Sequence, residues 1–297
     1  MVPSQKAATQ GQAVRRTSRW RRVTPPTSVG RSWLGNLKIG QKLILISLAF
    51  VLPIAVVVGL LVGEQNRAIN TTLKEQRGLE YLVLLRQLMQ DIQLHRGRAA
   101  TQLGGDPTAR QPRLELAAKI NRDFGALSEL DQRYKAEFGV SEALSDLRLG
   151  WENLVQNLDQ LSPQESTQRH DELINRGILG IMETVGNASG LAVDAEQASA
   201  YLSRLAIRDL PAAINATGLV RTLGITAASR GVNDEGQKAE LRLRLALAEE
   251  NLARVSRFIE FVTQASPKAA SLLLPQSGRT SAAVDKMISA YKSRILE

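Results

Sequence analysis

The chain has 297 residues, of which 43% are hydrophobic, and it carries a formal net charge of +9. It contains no cysteine and two histidines, which excludes disulfides and thiol nucleophiles and argues against metal and triad chemistry. Phosphate-binding glycine loops and the HExxH and GxSxG patterns are also absent from the sequence. We therefore predict a protein that is not an enzyme and that holds no cofactor and no metal.

The excess positive charge lies entirely at the N-terminus. Residues 1–42 hold nine basic side chains and no acidic one, which leaves 29 basic against 29 acidic residues in the rest of the chain. A nucleic-acid partner is not predicted, because the folded part is neutral overall. Residues 1–42 are rich in Ser, Thr, Pro, Gln and Arg, which predicts a disordered basic leader.

Residues 43–62, LILISLAFVLPIAVVVGLLV, contain no charged side chain. About 20 helical residues span a hydrocarbon core of ~30 Å, so this run predicts a transmembrane helix that tolerates Pro53. A cleaved signal peptide is the alternative, but the preceding region is long and no A-x-A-like site follows. The positive-inside rule then predicts a cytoplasmic N-terminus, an inner (cytoplasmic) membrane location and a periplasmic domain over residues 63–297.

The region after Gly63 is rich in Leu, Ala, Glu, Gln and Arg, and no alternating run of strand length appears, so we predict an all-α domain. Breakers such as Ser162-Pro163 and Pro211 mark the predicted helix ends. A first helix of about 40 residues is too long for one compact bundle, which favours two stacked four-helix bundles. The predicted helices cover 64–103, 110–137, 142–161, 163–189, 195–208, 211–230, 234–265 and 280–297.

Two of these helices carry an arginine in an apolar heptad seam. The first seam contains Arg96, and the second, in the helix after Pro211, contains Arg221 at the corresponding place. The seam positions are Leu82, Leu85, Met89, Ile92, Arg96, Ala99 and Leu103 in the first helix, and Ile207, Leu210, Ile214, Thr217, Arg221, Gly224 and Ala228 in the second.

A buried arginine needs a counter-charge, so two facing seams would form a site for a small anion or a ligand carboxylate at Arg96 and Arg221. The alternative is that each arginine pairs with a local acid, such as Glu75 or Asp91 for the first, or reaches solvent. His95 is expected to be exposed or to pack rather than to act in catalysis.

These residues carry a family resemblance. LVLLRQLMQDIQLHRGRAATQLGGD resembles the first helix of nitrate- and nitrite-sensing ectodomains, with its arginine-glycine pair followed by small residues. IGQKLILISL and INTTLKEQRGLEYL are similar to the membrane entry of methyl-accepting chemotaxis proteins, and VGNASGLAVDAEQASAYLSRLAIRDLPAAINATGLVRTLG resembles their second bundle. The matching region covers about residues 38–235. His95 stands where the family commonly has a glutamate.

The resemblance implies a double four-helix bundle, a homodimeric receptor and a ligand site at Arg96 and Arg221. The predicted function is the ligand-sensing input region of a chemoreceptor. A receptor histidine kinase or diguanylate cyclase can carry the same kind of input region, and a structural membrane bundle without a ligand is a third possibility. The chain ends at Glu297 without a second membrane helix or a signalling module, so we expect a C-terminally truncated receptor.

Overall fold

The computed structural model describes residues 37–192, 197–230 and 235–293, and all regular structure in these ranges is helical. The prediction of an all-α chain is confirmed. The leader was predicted over residues 1–42, and its residues 1–36 lie outside the described part of the chain. Seven continuous helices run through the described ranges: α1 (Ile39–Leu103), α2 (Arg110–Phe138), α3 (Ser141–Asn157), α4 (163–189), α5 (197–230), α6 (Glu235–Ala265) and α7 (Pro267–Tyr291).

Helix α1 continues without a break through Gly63, so the predicted transmembrane run over 43–62 and the predicted helix over 64–103 form one helix. Glycine lowers helix propensity by about 1 kcal/mol, which long helical flanks on both sides offset. Among the described residues, α1 is the one helix long and apolar enough to cross a membrane, and none of its most apolar window is buried. Contacts divide the chain into two units, Met1–Glu64 and Gln65–Glu297, and all packing described below lies in the second.

Helix α4 begins where the sequence predicts. The Ser162 hydroxyl accepts a hydrogen bond from the Glu165 backbone N–H, and the Glu165 carboxylate accepts one from the Ser162 N–H, which completes a capping box with Pro163 in the first turn. Farther along, α4 contains a π-helical turn at Leu173–Ile178 and ends at Gly190, which adopts a left-handed conformation. A further helix start was predicted at 194–197, and its residues 194–196 lie outside the described part of the chain.

The predicted breaks at Pro211 and before residue 280 are wrong. Helix α5 runs through Pro211, because a π-helical turn at Leu205–Asp209 widens the helix just ahead of the proline ring. Helix α7 begins at Pro267, after a cap in which the Ser266 hydroxyl accepts a hydrogen bond from the Ala269 N–H. It continues through Pro275.

The largest apolar core is formed by side chains of α1, α2, α3 and α4, together with Ile207 of α5. A second cluster joins Val220 of α5 to α6 and α7, and a third joins Leu205 and Ala213 of α5 to Val255 of α6. Helix α5 therefore contributes to every cluster, and any change in its register is felt by both α1–α4 and α6–α7.

Candidate functional site

Arg96 lies in an apolar seam of α1, as predicted. Leu85, Met89, Ile92 and Ala99 are all buried, and the Arg96 side chain is 0% exposed. An arginine at such a position cannot reach water, so its charge must be met within the protein or by a ligand.

The charge of Arg96 is met from α4 and α5. Its Nη1 atom donates a hydrogen bond to Asn215 Oδ1 at 3.0 Å and lies 3.5 Å from Asp171 Oδ1, its ion-pair partner. The predicted local partners, Glu75 and Asp91, do not pair with it; Asp91 instead binds Lys119 Nζ at 2.6 Å. The prediction of a local acid is wrong because the nearest acid in space comes from a distant helix.

Asn215 is the centre of the network. Its Nδ2 donates to Asp171 Oδ1 at 2.8 Å and to Asn175 Oδ1 at 3.1 Å, while Gln93 Nε2 donates to its Oδ1 at 3.5 Å. Side chains from α1, α4 and α5 are therefore linked through one amide. No pattern in the sequence indicates this role for Asn215, since it becomes inward-facing only in the folded helix α5.

Two donors of Arg96 stay without a partner. Its Nε and Nη2 atoms are buried and make no hydrogen bond. Burial lowers the pKa of Arg96 to about 10; Asp171 opposes this shift, and Arg221 adds to it. The side chain is still a cation at neutral pH, and a buried cation whose Nε and Nη2 nitrogens are both unpaired matches the geometry by which arginine binds carboxylates and small oxyanions.

Arg221 does not lie in a buried seam. It is exposed, as are Leu210 and Ile214 of the predicted second seam, while Ile207 and Gly224 are buried and the side chain of residue 228 lies outside the description. The π-helical turn in α5 inserts one extra residue, which rotates every later side chain by about 100° relative to a regular helix. Helices α1 and α5 do meet at Arg96, but the structure does not bring Arg221 into the buried network.

A pair of histidines beside Arg96 was not anticipated from the sequence. His95 and His170 are 0% exposed, and their Nδ1 and Nε2 atoms, respectively, lie 2.8 Å apart. His170 Nδ1 lies 2.6 Å from the Ser166 carbonyl oxygen, so it must donate there, and its Nε2 must accept the Nδ1–H of His95. His95 Nε2 is then a buried acceptor, and it has no partner.

Burial sets the protonation of both rings. It lowers the pKa of His170 to about 3, against the opposing effect of the Ser166 carbonyl, and lowers the pKa of His95 well below its usual range, with His170 and Arg113 adding to the shift. The rings of His95 and Trp151 also pack edge to face, with their centroids 4.8 Å apart. His95 is thus a packing residue, one of the two roles expected of it.

In the described part of the chain, no group of three or more His, Cys, Asp or Glu side chains is placed to hold a metal ion. No family model, no curated protein and no solved structure matches the chain. The resemblance to nitrate-sensing ectodomains and chemoreceptors therefore stays a prediction.

Proposed function

We propose that the chain is the sensory region of a membrane-anchored receptor and that it binds a small anion or carboxylate at Arg96. The observation that carries this proposal is the fully buried Arg96 guanidinium with two unpaired N–H donors. An ion pair that served structure alone would add little net stability over two apolar side chains of similar volume, because the desolvation of both charges offsets their attraction.

The membrane anchor in this proposal is residues 43–62. The apolar side chains of this run are exposed, which a water-soluble helix would not tolerate over about 20 residues. The basic leader supports an N-terminus in the cytoplasm and a helical domain in the periplasm, with the anchor in the inner membrane.

A double four-helix arrangement of the sensory domain is also part of the proposal. Four helices, α1 to α4, supply the largest core, and α5, α6 and α7 supply separate smaller clusters. The described residues thus hold one core shared by four helices and separate clusters shared by three, with α5 contributing to both sets, which supports a division of the domain into two bundles. The homodimer expected from the resemblance would place two such domains side by side.

Binding by the full chain, purified in detergent micelles, tests the anion site. Titration calorimetry with sodium nitrate, sodium nitrite and sodium acetate at constant ionic strength should show binding to the native chain. The Arg96→Met variant should bind at least about tenfold more weakly, because charge-assisted hydrogen bonds contribute about 1.5–3 kcal/mol. Arg221→Met should weaken binding only a few-fold, because solvent and salt screen the attraction between this exposed charge and an anion at Arg96.

The matched control is Arg98→Met, which removes an exposed arginine two residues away on the same helix. It should bind as the native chain does. If Arg96→Met fails to fold, Arg96→Lys keeps the charge and removes the fork of donors. Binding by a folded Arg96 variant that equals native binding would overturn the proposal.

A structural membrane bundle is the second candidate, and one observation favours it: Asp171 already supplies a counter-charge to Arg96 at 3.5 Å. In that case no probe would bind. Arg96→Met alone would lower the free energy of unfolding, because Asp171 would lose its partner, whereas apolar replacement of Arg96 and Asp171 together would leave stability unchanged or raised.

A further inference from the structure

A groove with a volume of about 460 Å³ lies between α4, α5 and α6. Its volume falls in the range of small-molecule sites, about 300–1,000 Å³. Leu219 and Leu223 of α5 give it an apolar side, and the facing surfaces of α4 and α6 give it charged ones. The groove is separate from the buried donors of Arg96, which does not line it.

The charged sides of the groove carry both signs. Helix α4 contributes Asp171, Glu172 and Arg176, and α6 contributes Glu240 and Arg244. Within the described residues Arg176 makes no ion pair, and the Arg244 Nε atom is buried without a hydrogen-bond partner although its Nη2 lies 3.6 Å from Glu240. The guanidinium group of Arg176 is exposed and that of Arg244 is partly exposed, so both can donate to an occupant, and carboxylates lie beside them.

We infer that this groove binds a small zwitterion that carries one carboxylate and one ammonium group. The carboxylate would take the donors of Arg176 and Arg244, and the ammonium would lie against the carboxylate of Asp171. A simple anion would meet the carboxylates of the groove, and a simple cation would meet its guanidinium groups. A ligand of both charges satisfies both, while its carbon chain rests on Leu219 and Leu223.

A ligand in the groove would weaken the ion pair of Arg96, because its partner Asp171 lines the groove. This carboxylate lines the groove and is also the counter-charge of Arg96, and Asn175 of the groove accepts a hydrogen bond from Asn215. An ammonium at Asp171 would compete with Arg96 for the same oxygen, so the zwitterion and an anion at Arg96 would favour each other's binding. Only this linkage rests on the proposed function; zwitterion binding does not.

The test is titration of the full chain in micelles with glycine, β-alanine and 5-aminopentanoate, and with acetate and methylammonium as probes of a single charge. At least one zwitterion should bind the Arg96→Met variant, in which the anion site is lost, more tightly than either single-charge probe does. Arg244→Gln should weaken zwitterion binding about tenfold. Equal affinity for a single-charge probe, or no zwitterion binding, would overturn the inference.

The matched control is Arg254→Gln, which breaks a similar ion pair, with Glu250, farther along α6 and away from the groove. It should bind zwitterions as the native chain does. Loss of zwitterion binding in Arg96→Met together with native binding in Arg244→Gln would place the ligand at Arg96; the inference would then fail while the proposed function stood. If Arg244→Gln does not fold, Arg176→Gln, at an exposed position, provides the same comparison.

Discussion

Arg96, His95 and His170 are side chains that proteins usually expose, and all three are fully buried here. The arginine and the two histidines are accommodated in different ways. Arg96 keeps its charge because Asp171 and Asn215 surround one end of its guanidinium group, whereas the histidines give up theirs and share hydrogen bonds as neutral rings. Arg96 is therefore a permanent buried cation, and the two histidines beside it are neutral rings that become protonated only in acid.

The first prediction concerns the histidine pair and pH. In the unfolded chain both rings bind a proton near pH 6.5, but in the folded chain the pKa of His170 is about 3 and that of His95 is also lowered. Their contribution to stability is complete above pH 6.5 and is lost as the pH falls toward 3. The free energy of unfolding should fall by up to about 1.4 kcal/mol per pH unit for each ring.

Urea unfolding of the full chain at pH 7.5 and pH 5, followed by helical circular dichroism, measures this dependence. The double variant His95→Gln, His170→Gln should show a smaller difference between the two pH values. Asp123, whose pKa burial and Asp91 raise to about 6, titrates with the opposite effect on stability in both chains, so it cancels from the comparison. The same pH dependence in the native chain and the double variant would contradict the prediction.

At the scale of helices, the π-helical turns of α4 and α5 decide which side chains face one another. The turn in α5 precedes Pro211 and shifts the inward face, so Asn215 rather than Ile214 is buried beside Arg96. The turn in α4, at Leu173–Ile178, contains Asn175, which accepts a hydrogen bond from Asn215. Such turns often mark functional sites, because they re-aim side chains at a cost in hydrogen bonding.

The second prediction tests the contact between α4 and the π-helical turn of α5. A Cβ atom at Gly186 would lie 2.7 Å from Ile207 Cδ1, so Gly186→Ala forces an overpacked contact and should lower the free energy of unfolding by about 1–3 kcal/mol. Gly180→Ala is the control, because a Cβ there meets nothing within 4 Å. This variant should gain up to about 1 kcal/mol from helix propensity.

Both glycine variants are measured by urea unfolding of the full chain in the same micelles. The two substitutions are chemically identical and lie on the same helix, so a difference in sign reports packing alone. A gain for Gly186→Ala as large as that for Gly180→Ala would show that α4 and α5 do not approach as closely as the structure places them.

At the scale of the whole molecule, the proposed function depends on two parts of the chain that differ in composition. The apolar half of α1 has exposed side chains over its full circumference, which fits lipid rather than protein contact. The second unit, Gln65–Glu297, has a mixed sequence whose meaning depends on how its helices pack. The proposed receptor needs both parts. The second unit would supply the ligand site, and the apolar run of α1 would hold that site on one side of the membrane.

The third prediction concerns topology, and the cysteine-free sequence makes it direct to test. The reagent is a maleimide that passes the outer membrane but not the inner membrane. In intact cells it should label Thr72→Cys, at an exposed position beyond the apolar run. It should label Ser18→Cys only after the inner membrane is permeabilised. The unsubstituted chain is the control for background labelling. Labelling of Ser18→Cys in intact cells would contradict a cytoplasmic N-terminus.

The sequence by itself determined the helical class, the capping box at Ser162, the apolar run of α1 and the seam that buries Arg96. These features depend on local propensity and on the helical period, which neighbouring residues set. The tertiary structure alone decided the partners of Arg96, the exposure of Arg221 and the histidine pair. Those outcomes depend on contacts between distant helices and on a one-residue shift before Pro211, which no local pattern in the chain records.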